Sequence, residues 1–194
     1  MAKKLITLLV ASAFASAASA KDVGYDYFTA GWNQVDVDFN TVSFDLDGIN
    51  LGGSFSILPE WYVKLDTLRS SGDENGVDLD FDLTTINAGY HMPMASNIDF
   101  IAELGYASSD VDASGFGQAN LIDDSGANLL VGFRGFATPE LEWGINAQHF
   151  NLDDSSTFIN IEGRYYLTST LSLGLKASFE SDVNIYGISA RFDF

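Results

Sequence analysis

The sequence predicts an all-β fold, an antiparallel up-and-down transmembrane barrel of ten strands. Three observations carry this. Apolar and polar residues alternate with period two over segments of about ten residues. Turn residues separate these segments at regular intervals. One phase of the alternation is apolar throughout, while the other is rich in Gly, Ser, Asn and charge. A helix would need apolar positions three and four apart, and no segment sustains that spacing.

Composition bounds the function. The 194 residues include 27 acids against 9 Lys plus Arg, a net charge of −18, and no cysteine. Disulfides, thiolate metal sites and a cysteine nucleophile are thereby excluded. So acidic a chain lacks the basic footprint that nucleic acid requires. Its mean hydropathy is nevertheless +0.08. Acidic and apolar residues must therefore be interleaved.

Taken in order, the first element is an address. Lys3 and Lys4 precede an apolar run from Leu5 to Ala15, and Ala18-Ser19-Ala20 follows as a small-residue cleavage site. Residues 1–20 are read as a signal peptide and 21–194 as the barrel domain. The apolar run is too short to span a bilayer, and no later stretch offers eighteen apolar residues in a row. Cleavage would remove two lysines and bring the charge to −20.

Ten strands follow, at about 24–37, 42–57, 61–69, 77–91, 97–107, 127–137, 141–150, 157–167, 171–180 and 184–194. The three prolines, Pro59, Pro93 and Pro139, mark short turns, and Thr168-Ser169-Thr170 marks a fourth. Polar segments near 38–47, 70–76, 108–126, 151–156 and 181–183 read as the opposite loops. An even meander with both ends on the short-turn side is the layout of a single-chain outer-membrane barrel. Eight strands remain the alternative reading of the final hairpins. A secreted β-sandwich also has short alternating strands, but its core faces would not be this polar. All three tryptophans fall in the apolar phase, with Trp61 and Trp143 just after short turns, where an interfacial girdle sits.

The chain ends on Tyr186, Ile188, Ala190, Phe192 and Phe194, an alternating strand closed by Phe. With the signal peptide, this ending resembles Gram-negative outer-membrane β-barrel proteins, of the small porin-like opacity- and attachment-type families. The resemblance implies a cell outer membrane location, a role in envelope integrity or surface attachment, and lipid and lipopolysaccharide as surroundings. It also implies that Phe194 is an assembly signal read by the barrel-assembly machinery. A monomer is expected, and no cofactor.

Assigning the apolar phase to lipid turns a set of charges inward: Lys64, Asp66, Asp99, Glu103, Arg134, Glu142, Glu162, Arg164, Lys176, Glu180 and Arg191. Buried charges must be paired or solvated, so an interior salt-bridge network is expected. Ten strands lie near the number that side chains can fill, which argues against a general diffusion porin. A narrow cation-preferring pore is the alternative.

In the first, second and fourth strands the apolar set changes phase partway, as from Phe28, Ala30 and Trp32 to Val35, Val37 and Phe39. A β-bulge would do this, and bulges favour barrel rims. That reading brings Asp36, Asp38, Asp45, Asp47, Asp78, Asp80 and Asp82 together as an inward acidic rim, a possible divalent-cation site or simply a solvated extension. No metal site is assigned with any force, because alternate strand residues stand about 7 Å apart, a ladder and not a cage.

Catalysis is not expected. Omptin proteases resemble the chain in strand number, but their chemistry needs His and Asp facing each other at the rim. His91 abuts the Pro93 turn on the other side, and His149 shares the outward phase of Leu141, Trp143, Ile145 and Ala147. No serine is placed by a histidine on one face, as a lipid-modifying hydrolase would need. The segment 108–126 is the longest loop, and its Phe116, Leu121 and Ile122 are the candidate contact surface.

Overall fold

The computed structural model describes residues 22–39, 42–74, 76–115 and 118–194. The expected signal peptide, residues 1–20, lies outside them, as does Phe116; the side chains of Asp38, Leu121 and Ile122 also lie outside the description.

Ten strands among the described residues close into one antiparallel barrel: β1 (Tyr27–Phe39), β2 (Val42–Leu58), β3 (Trp61–Glu74), β4 (Val77–Ala95), β5 (Ile98–Gly115), β6 (Gln118–Thr138), β7 (Leu141–Asn151), β8 (Ser156–Tyr166), β9 (Leu171–Phe179) and β10 (Val183–Asp193). Each pairs with its sequence neighbours, and β10 returns to β1 through pairs such as Phe28↔Phe192 and Trp32↔Ile188. Closure leaves no sheet edge in the hydrocarbon, where unpaired backbone would be costly. Phe194 sits at the seam: its ring stacks on Phe28 at 5.2 Å, and its N–H donates to the Asp26 carbonyl at 3.2 Å.

The strands differ greatly in length. At about 3.3 Å per residue and a tilt near 40°, the nine residues of β9 rise roughly 23 Å, about the height of the apolar band. The 18 residues of β5 rise roughly 45 Å. The excess stands in water on the loop side. Most of what reads as loop in the sequence is therefore strand. Residues 108–115 and 118–126 in particular belong to β5 and β6, paired from Ser108↔Ser125 to Gly115↔Gln118.

The expected rim bulges are absent. Pairing of β1 with β2 is unbroken from Tyr27↔Ser54 to Phe39↔Val42, and of β3 with β4 from Trp61↔Tyr90 to Glu74↔Val77. Register shifts occur instead next to short turns, at Ser56/Leu58, Pro93/Ala95 and Phe136/Thr138. Each strand keeps its faces along its whole length, and what changes is the surroundings. Within the bilayer the outside is lipid, so Phe28, Trp32, Ile49, Leu51 and Phe55 face out. Above it the outside is water, so the apolar residues move to the inner face and the acids to the outer. Val35 and Leu46, each 1% exposed, pack with Leu79 as a core supported by Val37, Phe44, Leu68, Phe81 and Val111.

Candidate functional site in the barrel lumen

The inward phase of every strand converges on the lumen, and it is built in three storeys. The lowest is closed by the segment ahead of β1. Asp26 anchors it by accepting the Ser56 N–H at 2.6 Å, and Tyr25 enters the mouth. There the Tyr25 ring stacks on His91 at 4.1 Å and on Tyr62 at 4.6 Å, with the Arg134 guanidinium 4.9 Å above its face. Its hydroxyl donates to Asp99 at 2.9 Å. Val23, Ile101 and Leu130 complete an apolar collar around it. Gly89 lies directly under the Tyr62 ring, where a Cβ would collide with it.

Above Tyr25 the charges interlock. Glu142 on β7 accepts from two guanidiniums, Arg134 at 2.6 Å and Arg191 at 2.5 Å, and from the Tyr166 hydroxyl at 2.9 Å. Arg191 also holds Asp193 at 3.2 Å and covers the Tyr27 ring at 4.7 Å. On the next strand Arg164 holds Glu162 at 2.6 Å and donates to Ser189 at 3.0 Å. Across the lumen Lys64 lies 3.1 Å from Asp66 and 3.7 Å from Glu103, and Glu103 accepts from Tyr62 at 2.8 Å and Asn87 at 2.9 Å. An amide relay then crosses the wall from Gln148 to Asn128 and on to Asn87. With donors and acceptors matched in this way, the desolvation cost of each charge is offset by its neighbours.

The third storey is the apolar roof of Val35, Leu46 and Leu79. A cavity of about 460 Å³ reaches from the charge cluster past these apolar side chains to Leu152, Phe158 and Val183.

The structure places ten of the eleven expected lumenal charges on the inward faces of strands, and the eleventh, Glu180, borders the cavity just beyond β9. Its pairing is the correction: it accepts from Ser181 at 2.9 Å and from the Asp182 N–H at 3.0 Å, not from a lumenal base. The Asp182 N–H in the first place, and Ser181 with it, hold this exposed carboxyl below the usual range. The inward acidic rim is a second correction. Asp36, Asp45, Asp47, Asp78, Asp80 and Asp82 occupy the outward phase of β1, β2 and β4, because the unbulged strands give the inner face to Val35, Leu46 and Leu79. There Asp80 stands opposite Asp112 and Asp82 opposite Asp110, while Arg69 approaches Asp82 at 3.7 Å. Among the described residues no three acids or histidines converge as metal ligands.

Sequence reasoning missed Tyr25, Tyr62, His91, Tyr166 and Asp193 as parts of the lumen. Tyr62, Tyr166 and Asp193 could have been found, since they share the phase of Lys64, Arg164 and Arg191. Tyr25 shares the phase of Tyr27 within the expected first strand, but β1 begins only at Tyr27, and no local pattern shows that Tyr25 enters the mouth. His91 is inward, with Nε2 3.0 Å from the Pro59 carbonyl and Nδ1 3.2 Å from Asp99. His149 faces outward, its ring 2.9 Å from the Thr157 hydroxyl.

A closed antiparallel barrel, apolar outside and charged within, is what a lipid bilayer requires of strands. Residues 5–179 match the family described as the outer membrane protein beta-barrel domain. The chain belongs to that family. It is a barrel of the cell outer membrane, and lipid surrounds its apolar band. Among solved structures it is similar to Ail, the attachment invasion locus protein of Yersinia pestis, crystallised in complex with the heparin analogue sucrose octasulfate (TM-score 0.51, 18% identity, 88% of this chain and 99% of that one). OprG of Pseudomonas aeruginosa (TM-score 0.48, 13% identity, 91% and 100%) and Neisserial surface protein A (TM-score 0.48, 11% identity, 87% and 96%) are also similar. At these identities the likeness concerns the fold alone. No match was found among curated protein sequences.

Proposed function

We propose that this outer-membrane barrel is a non-enzymatic scaffold for envelope integrity and surface attachment, closed to diffusion and displaying an acidic extension above the membrane. The observation that carries the reading is the lower lumen, filled by Tyr25 and the Arg134–Glu142–Arg191 cluster, with the apolar side chains of Val35, Leu46 and Leu79 projecting inward above it. A conduit would have no use for either. The assignment as non-enzymatic rests on the histidines: His91 is stacked beneath Tyr25, and His149 stands on the outer face beside Thr157.

Residues 1–20 serve in this reading as the signal peptide, and Phe194, stacked into the seam, as the assembly signal. The protein acts as a monomer. The tall hairpins make the attachment surface, with Leu121 and Ile122 on β6, and Phe116, outside the described residues, is a contact candidate with them. Their outward acids suit a partner bridged by divalent cations, such as the phosphates of lipopolysaccharide. The same acids would repel a sulfated glycan of the kind bound to Ail.

Planar-bilayer recording of the refolded protein tests the closed lumen. The expected result is silence at all voltages that the bilayer tolerates. A reproducible cation-selective current would overturn it in favour of a narrow pore.

A further inference from the structure

The wall of the lumen formed by β7 and β8 carries hydrogen-bonding capacity that the fold leaves unused. Asn146 and Gln148 border the cavity from the same face of β7, about 7 Å apart along the strand. Asn146 accepts from the Asn160 amide at 2.7 Å through Oδ1, and Gln148 donates to Asn128 at 3.1 Å through Nε2. The Asn146 NH2 and the Gln148 Oε1 are thereby left without a partner among the described residues. One is a donor and the other an acceptor.

Beside these amides the wall turns aromatic. Phe150 follows Gln148 on the same face of β7, and Phe158 stands opposite Gln148 on β8. The two rings meet edge to face at 5.9 Å, and Val183 and Ile185 of β10 continue the apolar lining. A cavity of about 460 Å³ with apolar walls and a few placed polar groups is the general form of a small-molecule site. Charge selects nothing in it. Lys64, Arg164 and Lys176 are matched by Asp66, Glu103 and Glu162, and Arg134 and Arg191 by Glu142 and Asp193. Glu180 at the border is held by Ser181 and the Asp182 N–H. A charged head would give up its hydration with no surplus counter-charge to replace it, whereas an uncharged head needs only hydrogen bonds.

We infer that the lumen binds an uncharged amphiphile, an alkyl carboxamide or alcohol, its head between Asn146 and Gln148 and its hydrocarbon chain against Phe150 and Phe158. This goes beyond the scaffold reading and does not depend on it, since the cavity exists whether or not the lumen conducts.

The test is an NMR titration of the refolded protein in lipid nanodiscs, with 15N in the side-chain amides and 13C in the phenylalanine rings and isoleucine methyls. Three probes are compared: hexanamide, hexanoate and propionamide. Hexanamide is expected to give saturable shifts at the Asn146 and Gln148 amides and at the Phe150 and Phe158 rings. Hexanoate and propionamide should bind at least tenfold more weakly. Asn146→Leu, close in volume but without the NH2, should weaken hexanamide at least fivefold. An equal response to hexanoate would show that charge is indifferent to the site, and an equal response to propionamide that the chain finds no wall; either overturns the inference. So do amides that do not shift, or shifts confined to outward residues such as Ile159, which would mean solution in the lipid alone. Undiminished binding to Asn146→Leu overturns it as well. Should that variant not fold, the three probes on the native chain still decide.

Discussion

Glu142 is the residue on which the lower lumen converges, with Arg134, Arg191 and Tyr166 all directed at its two oxygens. Removing one partner of a buried ion pair strands the other charge, at a cost of about 3–5 kcal/mol. Glu142→Gln keeps the shape but strands the Arg134 guanidinium and leaves Arg191 with Asp193 alone. It is expected to lower stability by at least about 3 kcal/mol in urea unfolding from vesicles. Glu60→Gln, exposed in a short turn, should stay within about 0.5 kcal/mol of the parent. Equal effects of the two would mean that the interlock contributes nothing. The phase of Glu142 and Arg191 is legible in the sequence, since period two assigns them inward. Their pairing is not, because they stand 49 residues apart in the chain and meet only once the barrel closes.

At the scale of the element, the tall hairpins are strands whose inside and outside have exchanged roles. Their outer face brings like charges into register, Asp110 standing between Asp82 on β4 and Asp123 on β6. Directly opposed like charges destabilise a pair by about 0.2–1 kcal/mol each, and salt screens them. Asp110→Lys is therefore expected to slow amide exchange at the top of the β5–β6 hairpin at low ionic strength. The gain should fade as salt rises. Faster exchange in the variant would show that the acids are held by something other than mutual tolerance. The sequence showed the change of phase in β1, β2 and β4 but suggested the wrong cause. A bulge and a change of solvent leave the same mark on a period-two pattern. Only the unbroken ladder between Tyr27↔Ser54 and Phe39↔Val42 separates them.

For the whole molecule, the apolar roof and the charged floor stand at different heights of the lumen and differ in chemistry. A Leu46→Ser, Leu79→Ser variant would hydrate the roof yet leave Tyr25, Arg134, Glu142 and Arg191 in place. It is expected to remain silent in planar-bilayer recording. A current from this variant would make the roof the sole seal. The charged lumen also accounts for the charge of the chain. Its scarce cations gather inside with matching acids, and the surplus acid stands on the extension, where water solvates it.

By itself the sequence determined the class of fold, the ten strands and the face of nearly every side chain within the bilayer. Lipid demands an apolar residue at every second position, and that demand is written locally. Tertiary structure alone decided three things: that Tyr25 turns back into the mouth, that Glu180 serves its own turn, and that the aspartates of the extension face water. Alternation states which residues share a face but not which face is inside. That depends on where the bilayer ends and on which strands stand beside one another, and both are properties of the closed barrel.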